Sequence, residues 1–290
     1  MILLFMDKSI GRYTMEKTLK PILLLFLFLT VSTGMKAQSE ITEEALQKAD
    51  SLLIEKYKRE KLRVQRLQKE HPEWKYSLRA VSRQLQKNFM DEIIDTALQY
   101  ANTPGGLKQV YQSRDRIEKD TLLRVLAGLP TSLQESTYAR WIRQYVKTEQ
   151  LEEGDRYVTF DCWTADGLPF NWEQYRNRNL LLLYDGLGCM GKNGRDYLEN
   201  LLKKTRREDF DVVVYCTAEN PEQFKERQGV YPQFKMISDF KPEDSVMNIL
   251  YGAQGTPTCF LIGRDGIIKV ISSGLDAGRF DNYLKEDNCF

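Results

Sequence analysis

From residue 41 to about residue 150, apolar positions recur every three or four residues. Leu46, Ala49, Leu53 and Tyr57 form one such series, and Leu85, Phe89, Ile93 and Ala97 form another, the spacing that gives a helix one buried face. Residues 55–70 are mostly charged and read as a solvated helix or a connection. Pro72 and Thr103-Pro104-Gly105-Gly106 punctuate the region. A last helix is predicted from about Ser132 to Val146, with Leu133, Ala139, Trp141, Ile142 and Tyr145 as its apolar positions. No site chemistry is legible in this stretch.

The pattern changes after Gly154-Asp155. Residues 180–184 and 212–216 are short, continuous apolar runs that suit strands covered on both faces of a sheet. Residues 258–262 and 267–271, joined by Gly263-Arg264-Asp265-Gly266, read as an antiparallel hairpin. Helices are predicted over 190–206, 221–229, 243–250 and 277–285. The order gives an α/β domain over 151–290, a mixed central sheet flanked by helices, preceded by an all-helical region over 38–150.

Ahead of both lie Lys17, Lys20 and Pro21, an apolar run over 22–31, and then Met35-Lys36-Ala37-Gln38. Positive, apolar and small residues in that order make a secretory signal peptide over 1–37, with cleavage after Ala37. The run is shorter than the ~20 residues of a membrane span, so a membrane is a partner only if the segment is retained. The mature chain is therefore expected outside the cytoplasm, in the periplasm or cell envelope, where disulfides persist.

Composition narrows the chemistry. Lys and Arg number 42 against 41 Asp and Glu, which leaves no bulk electrostatic case for nucleic acid. The one histidine, His71, beside Pro72 and Glu73 in a predicted turn, excludes a multi-His metal site. The five cysteines, Cys162, Cys189, Cys216, Cys259 and Cys289, contain no Cys-x-x-Cys pair. Zinc-ribbon, ferredoxin and dithiol centres all fail on that spacing, and no metal or cofactor is predicted.

Three stretches resemble the thioredoxin fold, and more narrowly exported thiol-disulfide oxidoreductases of the TlpA/ResA type. Gly154-Asp155, Val158-Thr159-Phe160 and Asp166-Gly167-Leu168-Pro169-Phe170 resemble the family's lead-in strand and hairpin. Residues 180–189 resemble the buried strand that delivers the reactive cysteine to a helix. Tyr251-Gly252-Ala253-Gln254-Gly255-Thr256-Pro257-Thr258, with Asp265-Gly266 beyond, resembles the cis-proline loop and following hairpin. The departure is at the site itself. The family's Cys-x-x-Cys stands here as Cys189-Met190-Gly191-Lys192, and Gly188 replaces the usual tryptophan.

The resemblance implies protein thiols or disulfides as partners, and Met190, Gly191, Thr256 and Pro257 as the positions that contact them. A sulfur at a helix N-terminus faces unpaired backbone N–H groups that favour its charged, nucleophilic form, and Lys192 is placed to add a cation. Gly186 and Gly188 are expected to keep the approach to Cys189 open. Cys216, at the end of the neighbouring strand, has two readings: a thiol that resolves a mixed disulfide on Cys189, or a core residue. Cys189 itself also has two, a sole nucleophile or an inert remnant in a redox-inactive binding module.

Overall fold

The computed structural model describes residues 41–241 and 243–290; the predicted signal segment, 1–37, lies outside the described residues. Thr42 accepts a hydrogen bond from the Ala45 amide, and Glu43 and Glu44 occupy the first turn of helix α1, Glu43–Glu70. A side-chain cap with acidic residues beside it satisfies the free N–H groups and the positive end of the helix dipole. The charged stretch 55–70 is thus helical throughout rather than a connection. It stays helical because α2, Lys75–Gln99, packs along it. Tyr57 and Phe89 stack at 4.3 Å, and Lys56 pairs with Glu92 at 2.8 Å. His71 closes α1 through its amide to the Leu67 carbonyl and stacks on Trp74 at 3.9 Å.

Thr103 and Pro104 start α3, Pro104–Gln112, and α4 follows at Lys119–Ala127. The single helix expected over 132–146 is two pieces, α5 at Thr131–Gln134 and α6 at Thr137–Lys147. Ser136 makes the break, because its hydroxyl caps α6 by accepting from the Ala139 amide. Leu107, Val110, Tyr111, Leu122, Ala139 and Ile142 form the core of this bundle, and Ile249, from the far end of the chain, completes it.

The sheet contains β1 (Asn179–Tyr184), β2 (Phe210–Tyr215), β3 (Lys235–Ile237), β4 (Thr258–Ile262) and β5 (Ile268–Ser273), in the order β3-β2-β1-β4-β5. β1, β2 and β3 run parallel, whereas β4 is antiparallel to both β1 and β5. This mixed five-stranded sheet with helices on both sides is a thioredoxin-like fold. β1 is buried at every position. Leu181 and Leu183 pack toward Leu198 and Leu201 of α7 (Gly191–Lys204), and Phe280 of α10 (Ala277–Glu286) joins the same cluster. Leu180 and Leu182 face Trp172, Tyr251 and Phe260 on the other side. Each such leucine is worth ~1.5–3 kcal/mol of burial.

Sequence periodicity misses β3, whose three residues are too few to show a pattern. The lead-in over 154–170 forms isolated bridges rather than a strand, Arg156 with Ile267 and Trp163 with Pro169 and Ser238. Helix α8 spans Pro221–Val230. The helix expected over 243–250 shortens to α9, Val246–Ile249, capped by Ser245.

All five cysteines are free thiols, and four of them lie in the interior. Burial pushes the thiols of Cys162 and Cys259 up to about 12 and that of Cys216 up to about 11. A folded-state value above the unfolded one stabilises the fold fully below the unfolded value, and the gain is lost as pH rises toward the folded value. The melting midpoint should therefore fall by about 5 °C or more between about pH 8 and about pH 11, less steeply in Cys216→Ala. A midpoint that stays flat over that range would mean these thiols are solvated.

Candidate active site at the end of the first strand

β1 ends at Tyr184, and the chain turns at Asp185 (φ +48°) and Gly186 (φ +92°). Gly186 is required there twice over. Its backbone is left-handed, and a Cβ would stand 2.5 Å from the Pro257 nitrogen. It does not open the approach, as expected from the sequence, but lets two backbones touch. The Met190 amide donates to the Gly186 carbonyl at 2.9 Å, closing a turn over 186–190. Buried Leu187 anchors that turn, and Arg195 donates to its carbonyl at 2.8 Å.

Cys189 sits on this turn and is the exposed thiol of the five. Its Sγ lies 3.6 Å from the Thr256 Oγ1, within hydrogen-bond reach for sulfur. The Thr256–Pro257 peptide is cis, and the Pro257 carbonyl accepts from the Gly274 amide at 2.8 Å. Thr256 is exposed and Pro257 buried, so the loop presents a hydroxyl beside the sulfur while its proline packs inward. α7 opens at Gly191 with φ +66°, and Met190, its N-cap, makes no side-chain capping bond. Left-handed backbone therefore separates Cys189 from the regular helix. The sulfur's partner is a side-chain hydroxyl rather than the helix end.

Lys192 is not delivered to the sulfur. Its Nζ donates to Asp196 Oδ2 at 2.5 Å, one turn along the same helix, with the lysine side chain 80% exposed. Such a pair is worth about 0.5 kcal/mol or less. Cys216 is 1% exposed, and its hydrogen-bond partner is Arg227 Nη1 at 3.8 Å. Arg227 also donates to Asp185 Oδ2 at 2.8 Å, and Thr217 Oγ1 donates to the same oxygen at 2.7 Å. The structure thus brings Cys189 together with Thr256 and Pro257. It leaves Lys192 on the helix surface and Cys216 among core residues.

Arg227, Thr217 and Tyr231 border this site without any warning in the sequence. The Tyr231 hydroxyl stands 3.6 Å from where a Cβ on Gly188 would be, and Arg195 lies over the Tyr231 ring at 5.6 Å. They come from the loop after β2, from α8 and from the residue that ends it, where no motif marks them. Among the described residues no group of His, Cys, Asp or Glu can hold a metal ion, and no helix is long and apolar enough to cross a membrane.

No protein-family model matches the chain, and no curated protein matches it. Among solved structures it is similar to a thiol-disulfide oxidoreductase from Bacteroides fragilis NCTC 9343, at 21% identity and a TM-score of 0.40 over 46% of this chain and 98% of that one. The thioredoxin domain of a thiol-disulfide oxidoreductase from Bacteroides vulgatus is 16% identical, with a TM-score of 0.40 over 47% and 99% of the two chains. A thiol:disulfide interchange protein from Bacteroides sp. is 17% identical, with a TM-score of 0.40 over 48% and 91%. Likeness at this level reaches no further than the fold, which rests on the sheet order itself.

Proposed function

We propose that this chain is an exported thiol-disulfide exchange protein that uses Cys189 as its sole nucleophile. One observation carries the reading: of five thiols, only Cys189 is exposed, and it lies 3.6 Å from a hydroxyl on the proline loop. Export rests on the order of residues over 1–37. In the reaction, the Cys189 thiolate attacks one sulfur of a substrate disulfide. The substrate S–S bond breaks, a new S–S bond joins Cys189 to that sulfur, and the second substrate sulfur leaves as a thiolate that takes up a proton. The Thr256 hydroxyl can donate to whichever sulfur carries negative charge. Release needs an external thiol, because position 192 holds a lysine.

A second reading has its own support. Lys192 is engaged by Asp196 and Cys216 is enclosed, the arrangement expected of a redox-inactive module that keeps the crevice to hold a protein partner.

Alkylation separates the two. Iodoacetamide at neutral pH is expected to modify Cys189 in the native protein and to spare Cys162, Cys216, Cys259 and Cys289 until denaturant is added, as read by peptide mass mapping. A folded protein whose Cys189 stays unmodified would exclude the exchange reading. Lys192→Cys places a second thiol one turn away on α7, and insulin reduction should rise about tenfold or more over the parent chain. No gain from a folded variant would show that the turn at Gly191 has moved position 192 out of reach.

A further inference from the structure

Arg114 is buried at 4% exposure, in the turn between α3 and α4. Its hydrogen-bond partners are neutral, and the Asp115 carboxylate stands beside it. Nη1 donates to the Tyr111 carbonyl at 3.0 Å and Nη2 to the Asn248 carbonyl at 3.1 Å. The guanidinium lies 4.1 Å from the Tyr111 ring centre and 5.2 Å from that of Tyr145. The remaining partner is Gln254. With its amide oriented by its neighbours, Oε1 lies 2.8, 2.9 and 3.1 Å from Nε, Nη1 and Nη2 of Arg114, over the face of the guanidinium rather than in line with its N–H groups. The Gln254 amide nitrogen then donates to Asp115 Oδ1 at 3.2 Å and to the Gln112 carbonyl at 3.0 Å.

Burying a cation is a costly way to join two parts of a chain, since an apolar pair would fill the same space without the desolvation. What the guanidinium supplies that an apolar side chain cannot is direction. Its planar donors fix the Tyr111 and Asn248 carbonyls in one frame, and its positive face holds the Gln254 oxygen beside them. Gln254 is two residues ahead of Thr256, whose hydroxyl faces Cys189. The same segment is held at two more points, Gln150 Nε2 on the Ile249 carbonyl at 3.1 Å and the Leu151 amide on the Leu250 carbonyl at 2.9 Å. Apart from α9, its path over 246–254 has no regular structure of its own.

We propose that Arg114 is a positioning residue: through Gln254 it holds the Thr256–Pro257 loop against Cys189, which makes the helical region part of the site. The consequence for thiol chemistry rests on the exchange reading above, whereas the placement of the loop does not. The test therefore has two readouts on the full chain. Hydrogen–deuterium exchange follows the backbone over 250–258, and the pH profile of Cys189 alkylation by iodoacetamide follows the sulfur. Arg114→Met is the main variant. Gln254→Met, at a half-buried position, serves if Arg114→Met fails to fold, and Ile142→Val, an apolar change in the same bundle core, is the control.

Both Met variants should raise exchange over 250–258 and change the alkylation rate about threefold or more, a size usual for coupling through packed networks. Arg114→Lys should recover only part of either effect, because it keeps the charge and loses the fork. The proposal is overturned if a folded Met variant matches the parent in exchange over 250–258, or if Ile142→Val alters that segment equally. If Cys189 resists alkylation in the parent chain while exchange over 250–258 rises in the variants, the exchange reading falls and the positioning role stands.

Discussion

The site depends on one pairing, that of β1 with β4. These strands run antiparallel, with Tyr184 opposite Thr258, so the end of one lies beside the start of the other. Whatever follows Tyr184 must then meet whatever precedes Thr258, which puts the Cys189 turn against the Thr256–Pro257 loop. Gly186 allows the final approach, since no side chain fits between it and Pro257. A slip of the register by one residue would turn every β1 side chain to the opposite face and part the two loops. The two-sided burial of β1, with leucines packed above and below, holds the register.

The helical region bears on the same contact from outside the sheet. Ile249 is shared with the bundle core, and the Tyr111 hydroxyl donates to the Glu243 carbonyl. The stretch leading into β4 thus rests on the bundle, while β4 itself rests on β1. Thr256 lies at the junction of the two supports. A loop fixed from both sides keeps its hydroxyl at one distance from the sulfur, which an exchange site needs more than it needs any single strong bond.

Much of this was legible in the sequence. Residues 180–184 and 258–262 are continuous apolar runs because both faces of those strands are covered, and the gap-free stretch over 251–258 pointed to the proline loop. Local strings could not show contacts made across long separations. Residues 55–70 looked ambiguous because the packing that keeps them helical comes from α2. Ser136 looked like one polar position in a helix and is a cap. Lys192, expected to face the sulfur, pairs with Asp196, four residues on, and Gly191 gave no sign of its positive φ. Arg114 carries no motif and meets Gln254, inside the proline-loop stretch, only in the folded chain, so the helical region read as chemically silent.

One exposed thiol beside the proline loop, four in the interior and no second cysteine where the helix begins are the observations behind the proposed single-cysteine exchange. The most direct test is the reaction of the native full chain with 5,5′-dithiobis(2-nitrobenzoic acid), which reports attack on a disulfide by the thionitrobenzoate set free. About one equivalent per chain is expected, lost in Cys189→Ser. No release from the folded protein, or release that survives Cys189→Ser, would contradict the assignment of Cys189 as the attacking sulfur.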